Sequence, residues 1–123
     1  MTKEGALYSF FNSFGIAAYE ENTVPSEKEI QWPYLTYQIV TDDLDGNGVL
    51  MTIQLFYRSD SWLLINAKAD EISKTISSGK RLICDDGYIM IYKSSPFAQN
   101  RAAEEKNIRA KVINITAEYI TTE

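Results

Sequence analysis

The chain has 123 residues, of which 45% are hydrophobic and 24% charged, enough for one domain that buries its own core without covalent staples. Seventeen acidic residues against twelve basic give a net charge of −5, and there is no histidine. An acidic chain without a basic block is poorly suited to gripping nucleic acid, where Lys and Arg must neutralise phosphates. The missing histidine removes Ser–His and Cys–His nucleophile pairs and the commonest zinc ligand.

The single cysteine, Cys84, forbids an intramolecular disulfide, and its apolar setting in Leu82-Ile83-Cys84 suits a small core or strand residue better than a reactive thiol. No apolar run reaches the length of a membrane span, and Met1 to Gly5 lacks a secretory leader's apolar region, so a soluble intracellular product is expected. Neither a phosphate-binding P-loop nor a dinucleotide glycine fingerprint occurs.

Residues 2–14 are predicted to be helical. Leu7, Phe10, Phe11 and Phe14 form one apolar stripe, Thr2 suits the cap and Gly15 the stop. A stripe this wide is expected in the core rather than on a membrane or partner. Ile16 to Glu20 is a short strand candidate, and Thr23 to Trp32 a polar loop containing Pro25.

Tyr34 to Thr41 and Val49 to Tyr57 alternate with period two and are rich in β-branched and aromatic residues, which predicts two strands. Val49, Met51, Ile53, Leu55 and Tyr57 share one face, with Thr52 and Gln54 on the other. Between them lies "DDLDGNGVL", whose Asp43, Asp45, Asn47, Gly48 and Val49 match a calcium-loop spacing. Its twelfth position is Gln54, a neutral amide where a bidentate Glu is needed, and its flanks read as strands rather than helices. Gly46-Asn47-Gly48 is therefore expected to be the tip of a hairpin spanning roughly 34–58.

A second helix is expected over 61–77, capped by Ser61 or Asp60, with Trp62, Ile65, Ala69, Ile72 and Ile76 on its buried face. Residues 81–84 and 88–93 form a second hairpin through Asp85-Asp86-Gly87, an Asp-Gly turn rather than an acidic site. Ser94 to Asn107 breaks the pattern at Pro96 and Phe97 and is expected to be a long loop. The last strand, 108–121, puts Ile113, Ile115, Ala117 and Tyr119 on one side and Asn114, Thr116 and Glu118 on the other. The fold class expected is α+β over residues 1–123: an antiparallel sheet of about four strands plus a β-hairpin, with two helices packed on one face.

In this order the elements resemble the tail-terminator, or head-to-tail joining, proteins of long-tailed bacteriophages. The resemblance rests on the N-terminal helix and on Pro33-Tyr34-Leu35-Thr36-Tyr37-Gln38 opening a strand. It continues through the Asp/Asn/Gly hairpin, Leu55-Phe56-Tyr57 leading into the second helix, Pro96-Phe97-Ala98-Gln99, and Ile115 to Ile120 near the end. It implies a structural virion protein with no catalytic residue, metal or cofactor. Such proteins form a homo-oligomeric ring, usually of six copies, on the head-proximal end of the tail tube. The ring stops tail polymerisation and meets the head connector or stopper, and genome DNA passes through without specific binding. The location implied is the virion tail or neck, reached from the host cytoplasm.

Within the 94–107 segment, Pro96, Phe97, Gln99 and Arg101 are candidate interface residues, because an exposed Phe beside an Arg suits an interface anchor. The alternative for Phe97 is a return to the domain's own core. Two other functions remain open at this stage: a monomeric module with a calcium or small-ligand site in the 43–54 hairpin, and a carboxylate-based hydrolase.

Overall fold

The computed structural model describes residues 1–40, 48–103 and 105–122. In chain order come α1 (Lys3–Phe11), β1 (Ala17–Glu20), a 3-10 turn (Glu21–Thr23), β2 (Tyr34–Tyr37), β3 (Gly48–Arg58), α2 (Leu63–Ile76), β4 (Lys80–Cys84), β5 (Gly87–Arg101) and β6 (Ile108–Thr121). The six strands form one sheet in the order β1-β2-β3-β6-β5-β4, curved into a half-barrel with two helices. β1 runs parallel to β2, and every other neighbouring pair is antiparallel. This corrects the expected antiparallel sheet of about four strands plus a β-hairpin: all six strands join one sheet, and it is mixed. A parallel pair needs a crossover, here residues 21–33, and no local sequence signal encodes such a pairing.

The second correction concerns Ser94 to Arg101, expected as loop. These residues continue β5. Lys93 pairs with Ile115 and Ala98 with Ile113, so residues 94–97 bulge opposite Asn114. Pro96 has no N–H to give a ladder, and the bulge is where a strand tolerates that loss. Asn114 Nδ2 donates to the Pro96 carbonyl at 3.1 Å, and the Ser94 and Thr116 hydroxyls meet at 2.7 Å. Side chains of β6 thus hold the bulge that interrupts the ladder.

The apolar stripes land as their spacing requires. Leu7, Phe10, Phe11 and Phe14 are buried under α1, and Ile65, Ala69, Ile72 and Ile76 under α2. They meet Met51, Ile53, Leu55, Ile113, Ile115 and Ala117 from the helix side of the sheet. Phe11 stacks on Tyr37 with ring centres 4.5 Å apart. Thr2 Oγ1 accepts the Gly5 N–H at 3.0 Å and caps α1. That helix stops at Phe11 rather than residue 14, and the turn after it carries Phe14 into the core. α2 begins at Leu63, whose N–H donates to Ser61 Oγ at 3.1 Å. Lys68 donates to the Phe14 carbonyl at 2.6 Å and fastens α2 to the end of α1.

Trp62 is half-buried rather than fully buried, because it precedes α2 and lies beneath Arg109 and Lys111, whose charges sit 5.4 Å and 6.0 Å from its ring centre. Gly87 closes the β4–β5 turn at φ 151°. A Cβ there would lie 2.0 Å from the Ile120 carbonyl oxygen, so only glycine lets β5 and β6 approach at that point.

Ile72 is fully buried, and Ile72→Ala should cost about 2–5 kcal/mol in denaturant melts. A loss below about half a kcal/mol would contradict this packing. Tyr119 offers a second test. Its hydroxyl donates to the Val40 carbonyl, and burial first, then Glu4 and Cys84, push its phenol from the usual 10.0 up to about 12. Because the folded pKa is the higher one, its contribution is complete below pH 10 and is lost as pH rises through about 12. Tyr119→Phe should therefore lose less stability than wild type over that window, and equal pH slopes in urea melts would refute the assignment.

Candidate functional site

Helices cover one face of the sheet, and the other face carries the side chains that alternate with the core. Tyr34 of β2, Phe56 of β3, Ala110 of β6 and Arg101 of β5 lie side by side across four strands on that open face. Ala110 is the small member of the row, and above it opens a cleft of about 360 Å³. Phe56 stacks on Tyr34 at 4.8 Å, and Trp32 packs edge-on against Tyr34 at 4.9 Å. The segment before β2 supplies the walls through Glu27, Ile30 and Trp32, and Ala102, Ala103, Glu105 and Ile108 close the opposite side.

Two guanidinium groups overlook this aromatic floor. The Arg58 guanidinium sits 4.6 Å above the Trp32 ring and makes no hydrogen bond or ion pair among the described residues. Arg101 Nη1 donates to Gln54 Oε1. Glu27 and Glu105 stand on the rim without pairing to either arginine. Burial, with Tyr19 adding to it, raises the Tyr34 phenol above its usual value, so that side chain stays neutral and can donate a hydrogen bond. Apolar rings beside underused cationic donors can hold an apolar group that carries a carboxylate.

The candidate interface residues divide between the two faces. Arg101 lines the cleft, and Gln99 shares its open face one pleat away, opposite Val112. Pro96 is exposed in the bulge. Phe97 is half-buried and packs against the hydrophobic core, with Lys93 Nζ 5.9 Å from its ring centre. Arg101 and Gln99 thus point where a partner could reach them, and Phe97 turns largely inward.

Asp43, Asp45 and Asn47 lie outside the described residues. The described part of the calcium-like spacing is strand: Gly48 to Arg58 pairs with β6, and Gln54, its twelfth position, binds Arg101. An exiting helix and a ligating twelfth side chain are what an EF-hand needs there. Among the described residues no three His, Cys, Asp or Glu side chains gather to hold a metal ion. Asp85 pairs with the Met1 ammonium and Asp86 with Lys3 at 3.1 Å, so the second turn's carboxylates join chain segments. Burial pushes the Cys84 thiol up, against the pull of Lys3, which keeps it protonated and weakly nucleophilic.

Trp32, Phe56 and Arg58 were not singled out from the sequence. The alternation that puts Thr52 and Gln54 on the open face continues to Phe56 and Arg58, so that half of the cleft was readable. The chain matches no protein-family model, no curated protein and no solved structure. Likeness to tail-terminator proteins accordingly rests on the residues quoted above.

Arg58→Ala should lower stability by only about 0.5–1 kcal/mol, the size of an exposed cation–π contact, and should alter Trp32 emission. A loss of several kcal/mol would mean that Arg58 serves the fold rather than the cleft.

Proposed function

We propose that this chain is a structural assembly protein of a long-tailed bacteriophage, one that ends tail-tube growth as a homo-oligomeric ring and joins tail to head. The observation that carries the reading is the open sheet face, which presents two arginines over an aromatic cleft and so offers a binding surface. Exposed Leu63 and Leu64 at the start of α2 add apolar surface on a different part of the molecule. A closed ring requires each copy to show one patch to one neighbour and another patch to the next. In this reading the partners are further copies of the chain, usually six in all, the tail tube protein, and the head connector or stopper. Genome DNA passes the acidic ring without specific binding, since like charge keeps phosphates from sticking. The protein would reside in the virion tail or neck and be recruited from the host cytoplasm. Among the described residues no helix is long and apolar enough to cross a membrane.

The purified chain should form closed rings in negative-stain images, and a phage lacking it should make tail tubes of uncontrolled length. A protein that stays monomeric at high concentration, with tails of normal length in its absence, would overturn the proposal. Separate changes at Phe97 and Arg101 divide packing from assembly. Arg101→Glu should leave the melting temperature within a few degrees and abolish ring formation. Phe97→Ala should instead lower the melting temperature, with a cost toward the lower end of about 3–5 kcal/mol, since this ring is only half-buried. Normal rings from Arg101→Glu would remove that arginine from the interface.

A further inference from the structure

We infer that the cleft over Ala110 is a socket for the β4–β5 turn of a second copy of this chain. The inference rests on the ring reading and specifies its two contacting patches. The turn lies at the far corner of the same sheet face. Ile83 pairs with Tyr88, and Tyr88 with Ile120, so three apolar side chains cross β4, β5 and β6 on the open side. Ile83 is 67% exposed, a large apolar side chain on an edge strand with nothing over it. Asp85 follows two residues later, and its side chain is 73% exposed.

The two patches complement each other in kind. An aliphatic knob, with the Asp85 carboxylate two residues on in the same turn and held by the Met1 ammonium, meets in the next copy an aromatic floor overlooked by the Arg58 guanidinium. Arg81 shares the open face with Ile83, opposite Met90, and would meet the rim acids Glu27 and Glu105. The ion pair Asp85 now makes with the Met1 ammonium is solvent-exposed, hence weak, and a carboxylate has room for further donors. The cleft lining holds Arg58 and Arg101 beside Glu27 and Glu105, so it offers cations to the Asp85 carboxylate and carboxylates to Arg81 of the next copy. Knob and socket occupy different corners, so the contact is head-to-tail, the type from which closed rings are built.

The test uses variants that each damage one patch. Ile83→Glu spoils the knob and keeps the socket, whereas Arg58→Glu spoils the socket and keeps the knob. Ala110→Leu fills the socket floor without changing charge, and Ile83→Ser is a milder knob change. Each variant, checked for native circular dichroism, is measured by sedimentation and native mass spectrometry. Each alone should be monomeric where wild type is a ring, with self-affinity reduced at least about tenfold. An equal mixture of Ile83→Glu and Arg58→Glu should form a dimer and stop there, because only one sound knob and one sound socket are present. Wild-type rings that every variant also forms would overturn this pairing and leave the ring reading standing. Dimers of either variant alone would overturn it too, since they require a symmetric contact elsewhere. A wild-type chain that never associates would overturn both.

Discussion

Pairing along both sides of β6 is the constraint on which the rest of this structure depends. β3 and β5 flank that strand over nearly its whole length, so its register fixes theirs. Ile113, Ile115, Ala117 and Tyr119 point under the helices, and Asn114, Thr116 and Glu118 point away. A slip of one residue would exchange the two sets and bury three polar side chains against α1 and α2. The bulge at residues 94–97 works in the same direction. By bonding the Pro96 carbonyl, Asn114 ties one position of β6 to the one place where β5 departs from regular pairing. Beyond the bulge β5 rejoins the ladder so that Gln99 and Arg101 face outward, which is how Arg101 reaches the cleft.

Much of this order could be read before the structure was known, because it is local. The spacing of Leu7, Phe10, Phe11 and Phe14 needs only a helix to become a stripe, and alternation from Met51 to Tyr57 needs only a strand. Thr2 acts on a backbone N–H three residues away, and Asp85-Asp86-Gly87 is a local turn signal, although the carbonyl that crowds Gly87 belongs to the distant Ile120. The misread parts depend on partners distant in sequence. β1 is four residues whose place beside β2 is set by the crossover, and the Ala17 to Glu20 sequence does not contain that information. Pro96 and Phe97 mark an interruption correctly, but whether a strand resumes afterwards depends on Ile113 and Val112 across the ladder. The cleft was half legible for the same reason. Phe56 and Arg58 follow from period two, whereas Trp32 reaches Arg58 through tertiary folding of the polar segment before β2.

Charge placement sharpens the contrast between the two faces. On the helix side three cations are engaged by the fold. Lys68 holds Phe14 and Glu71, Lys93 holds Ser73, and Arg109 donates to the carbonyls of Asp60 and Lys106 while lying over Trp62. On the open side Arg58 rests on Trp32 with its donors uncommitted. A stacked guanidinium keeps its edge available for hydrogen bonds, because the ring occupies only its face. Fully using Arg58 for stability would have required a carboxylate beside it, and Glu27 and Glu105 line the same cleft without closing on it. Such an arrangement suits binding better than folding.

The span between the cleft and the β4–β5 corner is set by the most firmly held element of the sheet. Ala110 lies under the cleft, and Ile120 belongs to the apolar row that ends at Ile83, so both are on β6. They lie ten positions apart along the strand, roughly 33 Å at a strand's usual rise. Because β6 is paired on both sides, this spacing cannot breathe as a loop-borne spacing would. If copies join corner to corner, subunit repeat and ring diameter become properties of one strand and its register. Changes around residues 24–33, or at Ala102, Ala103 and Glu105, would then tune the grip of the socket without altering the number of copies. Insertions or deletions in β6, or in the bulge that matches β5 to it, would shift one corner against the other and change whether the ring closes at all.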